Sequence, residues 1–321
     1  MKALYYGRNG GPEVFTYGDV PDPRLLDDMV LIRVDAISIE GGDVLNRHVT
    51  PPPSTQHVCG YQAAGIVEAV GSTVDRVAVG QRVVGFHWAG SHAELFAVQQ
   101  HHVYPIPDSL DTTIAAAVPI AFGTASDALF EFGKLERGET ILIQGAAGGV
   151  GIAAVQLAHQ AGARVITTAS SPQRLERLRE YGADAGIDYR DEDIAARALE
   201  LTDGRGVDFV LDLAGGKSLD ALMGAVRYRG RFATVGASSR DLPAFQFMDL
   251  VQKSLTVFGT LFGAEMAGER AHDLIAELFI RIGAGELRMP IEQVFPLSNG
   301  AIAHRFVEQG HPFGRVMMTA R

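Results

Sequence analysis

Residues 141–151 read Ile-Leu-Ile-Gln-Gly-Ala-Ala-Gly-Gly-Val-Gly, an apolar run that gives way to small residues. A stretch with helical spacing follows at 152–158. Strand, tight turn and helix in that order can hold a pyrophosphate. Gly148 lets the backbone approach the phosphates, and the free N–H groups of a helix start face their charge. Gly151 allows close packing of helix on strand. Ala147, Gly148, Gly149 and Val150 are the expected dinucleotide contacts. The first glycine of G-x-G-x-x-G is replaced by Ala146, so the plain pattern is not met. A glycine-rich turn alone can be no more than a turn; the strand before it and the helix after it favour the binding reading.

The next strand, 163–168, decides which dinucleotide. An NAD site usually ends this strand with Asp or Glu, for the ribose hydroxyls. Here the chain continues Ala169-Ser170-Ser171-Pro172-Gln173-Arg174, with no acid. Ser170, Ser171 and Arg174 suit a 2′-phosphate, which a carboxylate would repel. Ser171-Pro172 also reads as a helix cap with Arg174 on the surface. Both readings can hold together, and NADPH is the expected cofactor.

These residues need a scaffold, and the chain is long enough for two domains at 321 residues. Hydrophobic residues make up 47% and charges are interspersed, which is a globular composition. A formal net charge of −10 argues against nucleic acid and anionic lipid as partners. Cys59 is the single cysteine, so no internal disulfide and no Cys-x-x-Cys cluster can form. The start lacks a signal-peptide core and no stretch is apolar enough to span a membrane. A cytoplasmic protein is expected.

Residues 1–118 read as β-rich, with short runs at 29–34, 64–70 and 82–86; the prolines at 51–53 demand a loop. From 119 the texture changes to alternating strands (140–144, 164–168, 207–211, 231–235, 255–259) and helical runs. That alternation predicts a doubly wound parallel sheet. Residues 285–321 return to the first texture and are expected to rejoin the first domain, leaving 119–284 to the nucleotide.

The turn 146–151 resembles the AAGGVG of quinone oxidoreductases, zinc-independent members of the medium-chain dehydrogenase/reductase superfamily. Other segments resemble the same family in order along the chain: Gly60-Tyr61-Gln62-Ala63-Ala64-Gly65, Val79-Gly80-Gln81-Arg82-Val83, Gly90-Ser91-His92-Ala93-Glu94, Ile187-Asp188-Tyr189-Arg190 and Gly314-Arg315-Val316. The resemblance implies an α/β fold, with a discontinuous GroES-like β domain and a Rossmann domain, and an active site in a cleft between them. It places Arg174 and Tyr189 at the 2′-phosphate and Thr124 at the nicotinamide carboxamide.

The resemblance also locates where zinc-dependent relatives bind metal. Their ligand positions correspond here to Ile37, Tyr61 and Ile120, with Gln62 in place of a Glu. Two aliphatic chains and a phenol cannot hold catalytic zinc, so no metal is expected there. Cys59 reads as a small semi-buried residue, and His87, His92, His101 and His102 as surface or packing residues without a thiol or carboxylate at ligand spacing. Without a Lewis acid, alcohol oxidation is disfavoured, while hydride delivery to a quinone or an α,β-unsaturated carbonyl remains open. Tyr61 is the expected proton donor, unless it merely fills the space of the missing metal. Glu40, where relatives often carry Asn, either serves proton transfer or turns away on a loop loosened by Gly41-Gly42.

Three readings follow: an NADPH-dependent quinone or enone reductase, a reductase of one biosynthetic intermediate, or a non-catalytic NADPH-binding protein such as the lens crystallins among these relatives. The uncharged β-prone run 255–260 is expected to pair with its twin in a homodimer. Pocket walls are expected from loops at 50–55 and 241–249.

Overall fold

The computed structural model describes residues 1–239, 241, 244–310 and 312–320. Leu242 and Pro243, within the expected pocket loop 241–249, lie outside the described residues. The chain forms two compact units, Met1–Ile120 with Gly263–Arg321, and Ala121–Phe262.

The first unit begins with β1 (Lys2–Tyr6), β2 (Thr16–Asp19), β3 (Met29–Ser38), α1 (Gly41–Val49), β4 (His57–Val58) and β5 (Gln62–Val70). It continues through β6 (Arg82–Phe86), β7 (Leu95–Gln99), β8 (Val103–Pro105) and α2 (Thr112–Ala115). Its returning segment holds α9 (Glu269–Gly283), β15 (Ile291–Pro296), α10 (Gly300–Gly310) and β16 (Arg315–Thr319). A small sheet runs β2-β1-β4, and a larger one β15-β16-β3-β5-β6-β8 with β7 also on β3. β3 shows why: Val30, Ile32, Val34 and Ala36 are buried while Leu31, Arg33 and Asp35 are less so, the period of a half-buried strand. Val30, Ile32 and Val34 join Leu4, Val67, Phe96, Val98, Val316 and others in one core.

Two expectations are corrected here. Residues 40–43 are not a loosened loop, because α1 starts at Gly41. Asp43 accepts the Glu40 N–H at 2.8 Å, so the acids close the helix start that the glycines would leave open. The second boundary lies at Gly263, not at 285. The segment 263–284 is tied to the β-rich unit: Tyr104 Oη donates to Met266 O at 2.6 Å, His272 Nε2 meets His101 O at 2.8 Å, and Arg76 pairs with Glu269.

The second unit holds α3 (Pro119–Ser126, which begins just before it), β9 (Thr140–Gln144), α4 (Gly149–Gln160), β10 (Arg164–Ala169), α5 (Pro172–Arg179) and β11 (Ala185–Asp188). Then come α6 (Ile194–Leu201), β12 (Val207–Asp212), α7 (Leu219–Ala225), β13 (Val226–Thr234), α8 (Phe247–Lys253) and β14 (Thr256–Gly259). The sheet order is β11-β10-β9-β12-β13-β14, and every pairing is parallel. This is the doubly wound order in which the chain reverses beside β9, where such sheets bind ligands. β9 and β12 are buried along their whole length, as strands covered on both faces must be. Among the described residues, no helix is long and apolar enough to cross a membrane.

Candidate functional site

The glycine-rich turn sits between β9 and α4. Gly145 takes φ +75°, supplying the left-handed turn one residue earlier than the usual fingerprint would. Ala146 is consequently free to be an alanine, and it is fully buried. Gly151 has no such freedom: a Cβ there would lie 2.4 Å from Gly145 O and 2.5 Å from Ala146 Cα. Gly148 is the N-cap of α4 and is exposed. A Cβ on it would meet only Gly145 O, at 3.6 Å, so the space before it is open. The N–H groups of Gly149, Val150 and Gly151 have no intrahelical acceptor, and no side chain caps them. Ala147 is buried behind them.

The neighbouring strand ends bring the other nucleotide candidates together. β10 and β11 run in register to Ala169 and Asp188, and Tyr189 N donates to Ala169 O at 3.2 Å. Ser170, Ser171 and Tyr189 therefore share the carboxyl edge of the sheet. Ser171 caps α5, its Oγ accepting from Arg174 N at 3.4 Å, so the capping reading of the sequence is realised. The cap holds the first turn of α5, and Arg174 with it, at that edge. Thr168 Oγ1, just behind, is buried with no hydrogen-bond partner. Hydroxyls, a guanidinium, an orphaned buried oxygen and an open helix start form a donor set that fits a phosphorylated dinucleotide. Thr124 lies on α3 and is buried.

A brace at the switch point escapes simple motif reading. Gln144 Nε2 donates to Asp212 Oδ1 at 3.3 Å and to Gly215 O at 3.2 Å. Asp212 also accepts from Ala214 N and Gly215 N, each at 2.9 Å. Burial raises the Asp212 carboxyl above its ordinary value. The signal was a glutamine closing an otherwise apolar strand.

In the first unit, Tyr61 lies across α1. A Cβ on Gly42 would come within 2.3 Å of Tyr61 Cε2, so the ring occupies the space that glycine leaves. Asn46, one turn further on the same face, donates from Nδ2 to Tyr61 Oη at 2.6 Å. Phe86 and Trp88 meet the ring edge-on, with centroids at 6.2 and 5.6 Å. Burial, then the charge of Asp43, pushes the phenol above its ordinary range. It stays protonated and can donate a hydrogen bond.

Glu40 is turned inward. It is 2% exposed, Ser38 Oγ donates to its Oε1 at 2.8 Å, and Arg315 Nη2 lies 2.6 Å from its Oε2. Burial raises the carboxyl, which Arg315 and Ser38 oppose. Both of these partners belong to the β-rich unit. Gln62 is also structural: Nε2 donates to Ala116 O and Oε1 accepts from Ile120 N at 3.1 Å. Ile37 is buried in the core.

Of the two readings of His92, surface or packing, burial favours packing, and the residue sits in a polar cluster. Cys59, His92 and His304 place their metal-capable atoms within 4.8 Å of one another, all buried. Arg47 Nη1 lies 2.8 Å from His304 Nδ1, His304 Nε2 lies 3.0 Å from His92 Nε2, and His92 Nδ1 lies 3.2 Å from Ser91 Oγ. A guanidinium can only donate. His304 Nδ1 must then accept, its Nε2 carries the proton, and no lone pair is left there for a metal. Burial pushes His92 down to about 3, and His304 well below its ordinary value, so both imidazoles are neutral.

A model of zinc-binding dehydrogenases matches residues 149–277, and one of alcohol dehydrogenase GroES-like domains matches residues 26–108. The chain is 36% identical over 311 residues to a quinone oxidoreductase of Pseudomonas aeruginosa, covering 94% of each chain. The crystal structure of an Escherichia coli quinone oxidoreductase complexed with NADPH superimposes with a TM-score of 0.95 at 27% identity, covering 99% of this chain and 100% of that one. A 2-haloacrylate reductase does so with a TM-score of 0.86 at 28% identity, covering 100% of both. Fold order, glycine-rich turn and full-length similarity agree, and the chain belongs to the quinone oxidoreductase family of the medium-chain dehydrogenases/reductases.

Proposed function

We propose that this oxidoreductase uses NADPH to reduce a quinone or an α,β-unsaturated carbonyl, with no metal at the reacting centre. The observation that carries the reading is the carboxyl end of β10, where Ser170, Ser171 and Arg174 follow the strand with no acid among them, beside Tyr189 and an open helix start; the carboxylate of Asp188, at the end of the neighbouring β11, accepts from Arg190 N at 3.1 Å. The relatives' names support both acceptor types, a quinone for one and a haloacrylate for another.

NADPH, when bound, supplies the hydride. The N–H groups of Gly149 and Val150 hold the pyrophosphate, with Ala147 and Gly148 giving it room. Ser170, Ser171, Arg174 and Tyr189 hold the 2′-phosphate, and Thr124 the carboxamide. The Tyr61 hydroxyl donates to the acceptor's carbonyl oxygen as negative charge develops on it. Glu40 takes no part beyond holding α1. A panel of quinones and enones, with NADPH consumption followed at steady state, tests the reading; no turnover of any member would overturn it.

Three expected results follow from the same residues. NADPH binds at least about tenfold more tightly than NADH, about 1.4 kcal/mol, and Arg174→Ala erodes that difference by weakening NADPH alone. Equal affinities by titration would refute the phosphate assignment. Turnover per folded chain survives exhaustive chelation, since Ile37, Tyr61 and Ile120 offer no zinc site; loss that zinc restores would contradict it. β14 is the sheet's last strand, paired only with β13 among the described residues, and carries no charge. We place a homodimer on that edge, and Val257→Pro, which removes a ladder donor, should dissociate it in sedimentation. A wild type that sediments as a monomer at micromolar concentration would rule the dimer out. A single free, buried cysteine suits a reducing cytoplasm.

A further inference from the structure

The hydrogen bond on Tyr61 has a direction. Asn46 Nδ2 donates and Tyr61 Oη accepts, at 2.6 Å. The amide is oriented from its other side, where Thr50 Oγ1 donates to Asn46 Oδ1 at 3.4 Å. A phenol has one proton and two lone pairs. With one lone pair occupied by the amide, the proton cannot be spent on Asn46. It remains for a third group. The ring itself is held: Gly42 lies under it, and Phe86 and Trp88 stand against its edges.

We propose that Asn46 is a positioning residue for the reduction, directing the Tyr61 hydroxyl proton away from α1 and onto the acceptor's oxygen. This rests on the role given to Tyr61 above. A helix residue that only packed against the ring could be any side chain of similar shape. A residue that sets the proton's direction must be a donor.

Two near-isosteric variants separate these cases. Asn46→Leu removes the donor, so the hydroxyl is free to turn; kcat falls about fivefold, the effect of one neutral hydrogen bond. Asn46→Asp reverses the polarity. An ionised carboxylate accepts the phenol proton and withdraws it from the acceptor, and kcat falls towards the about hundredfold loss expected for a missing oxyanion donor. KM changes little in either variant. The Asp variant also acquires a pH dependence that the wild type lacks. A protonated carboxyl can donate again, so its kcat recovers as pH falls through the pKa of the new group. Asp43, Glu40, Cys59 and Tyr6 are the titratable groups whose charge acts on Tyr61. Any of them that is ionised raises the new carboxyl and brings the recovery to higher pH.

The emission of Trp88, the only tryptophan, reports whether the Tyr61 ring has moved, because it stands 5.6 Å away. With that emission unchanged, Asp worse than Leu and rescued by acid supports the proposal. Leu and Asp equally impaired, with no acid rescue, would overturn it in favour of a packing role. Adding Asn46→Asp to Tyr61→Phe should cost nothing further; an additive loss would likewise overturn it. If Tyr61→Phe alone leaves kcat intact, the role of Tyr61 fails first and this inference falls with it. If Tyr61→Phe is impaired while Asn46→Asp is not, only this inference fails.

Discussion

Tyr61→Phe lowers kcat about a hundredfold, or about 3 kcal/mol in the barrier, while KM for NADPH is unchanged. The estimate is that of removing one preorganised donor from a developing oxyanion. Phenylalanine keeps the ring over Gly42 and between Phe86 and Trp88, so the loss reports the hydroxyl and not the packing. The pH dependence has a definite sign. Burial and the negative neighbours raise the phenol, so the donor form persists from acid to the ordinary tyrosine range and is lost only above it. The wild-type rate therefore shows no alkaline fall from Tyr61 below about pH 10. Unchanged kcat in the Phe variant, measured with saturating acceptor, would remove Tyr61 from the chemistry.

Asp208→Ala destabilises the protein by about 3–5 kcal/mol, because it strands donors that now converge on one buried carboxylate. Asp208 is 5% exposed. It accepts from Arg205 Nη1 at 2.7 Å and Nη2 at 2.9 Å, from Arg227 Nε at 2.6 Å, and from Thr140 N at 2.8 Å. The acid thus joins β12 to the first residue of β9 and to β13. Burial alone would raise its carboxyl, but the bonds from Arg205, Thr140 and Arg227 outweigh burial and hold it below its ordinary value. A carboxyl lowered by folding stabilises fully above its unfolded pKa, about 3.9, begins to lose that contribution as pH falls below it, and has lost it once pH passes the lowered folded value. Urea denaturation at neutral pH and near pH 3 should show the difference between wild type and variant shrink in acid. A variant as stable as wild type at neutral pH would show that the network contributes nothing.

The sequence was most legible where local chemistry and tertiary context agree. β6, β9 and β16 fall where their apolar runs end, because Gly, Pro and charged residues bound them. The glycine-rich turn was readable because backbone closeness permits little besides glycine at Gly151. What failed was what depends on distant partners. His92 and His304 meet across 212 residues, and no spacing rule reaches that far. The ion pair of Glu40 with Arg315, far along the chain, was equally beyond local spacing. α1 was missed because two glycines open it, and its capping acids show their meaning only once the helix is seen. The segment 263–284 looked like part of the nucleotide unit by texture, whereas Tyr104 and His101 tie it to the other.

The amide of Gln62 also constrains the routes by which this chain could change. The family resemblance sets Gln62 where zinc-dependent members would carry a Glu. Here Gln62 must give a proton to Ala116 O and take one from Ile120 N. A carboxylate could still accept from Ile120, but it would set two acceptors face to face at Ala116 and strand a buried carbonyl at about 1–3 kcal/mol. Grafting zinc ligands at Ile37, Tyr61 and Ile120 together with Gln62→Glu would thus loosen the backbone at 116–120 that has to present one of those ligands. Such a change is costly in one order and easier in another: with the 116–120 connection rebuilt first, position 62 can lose its donor without stranding Ala116 O. A hydrogen bond that touches no substrate thus sets the order in which ligand residues could be introduced here.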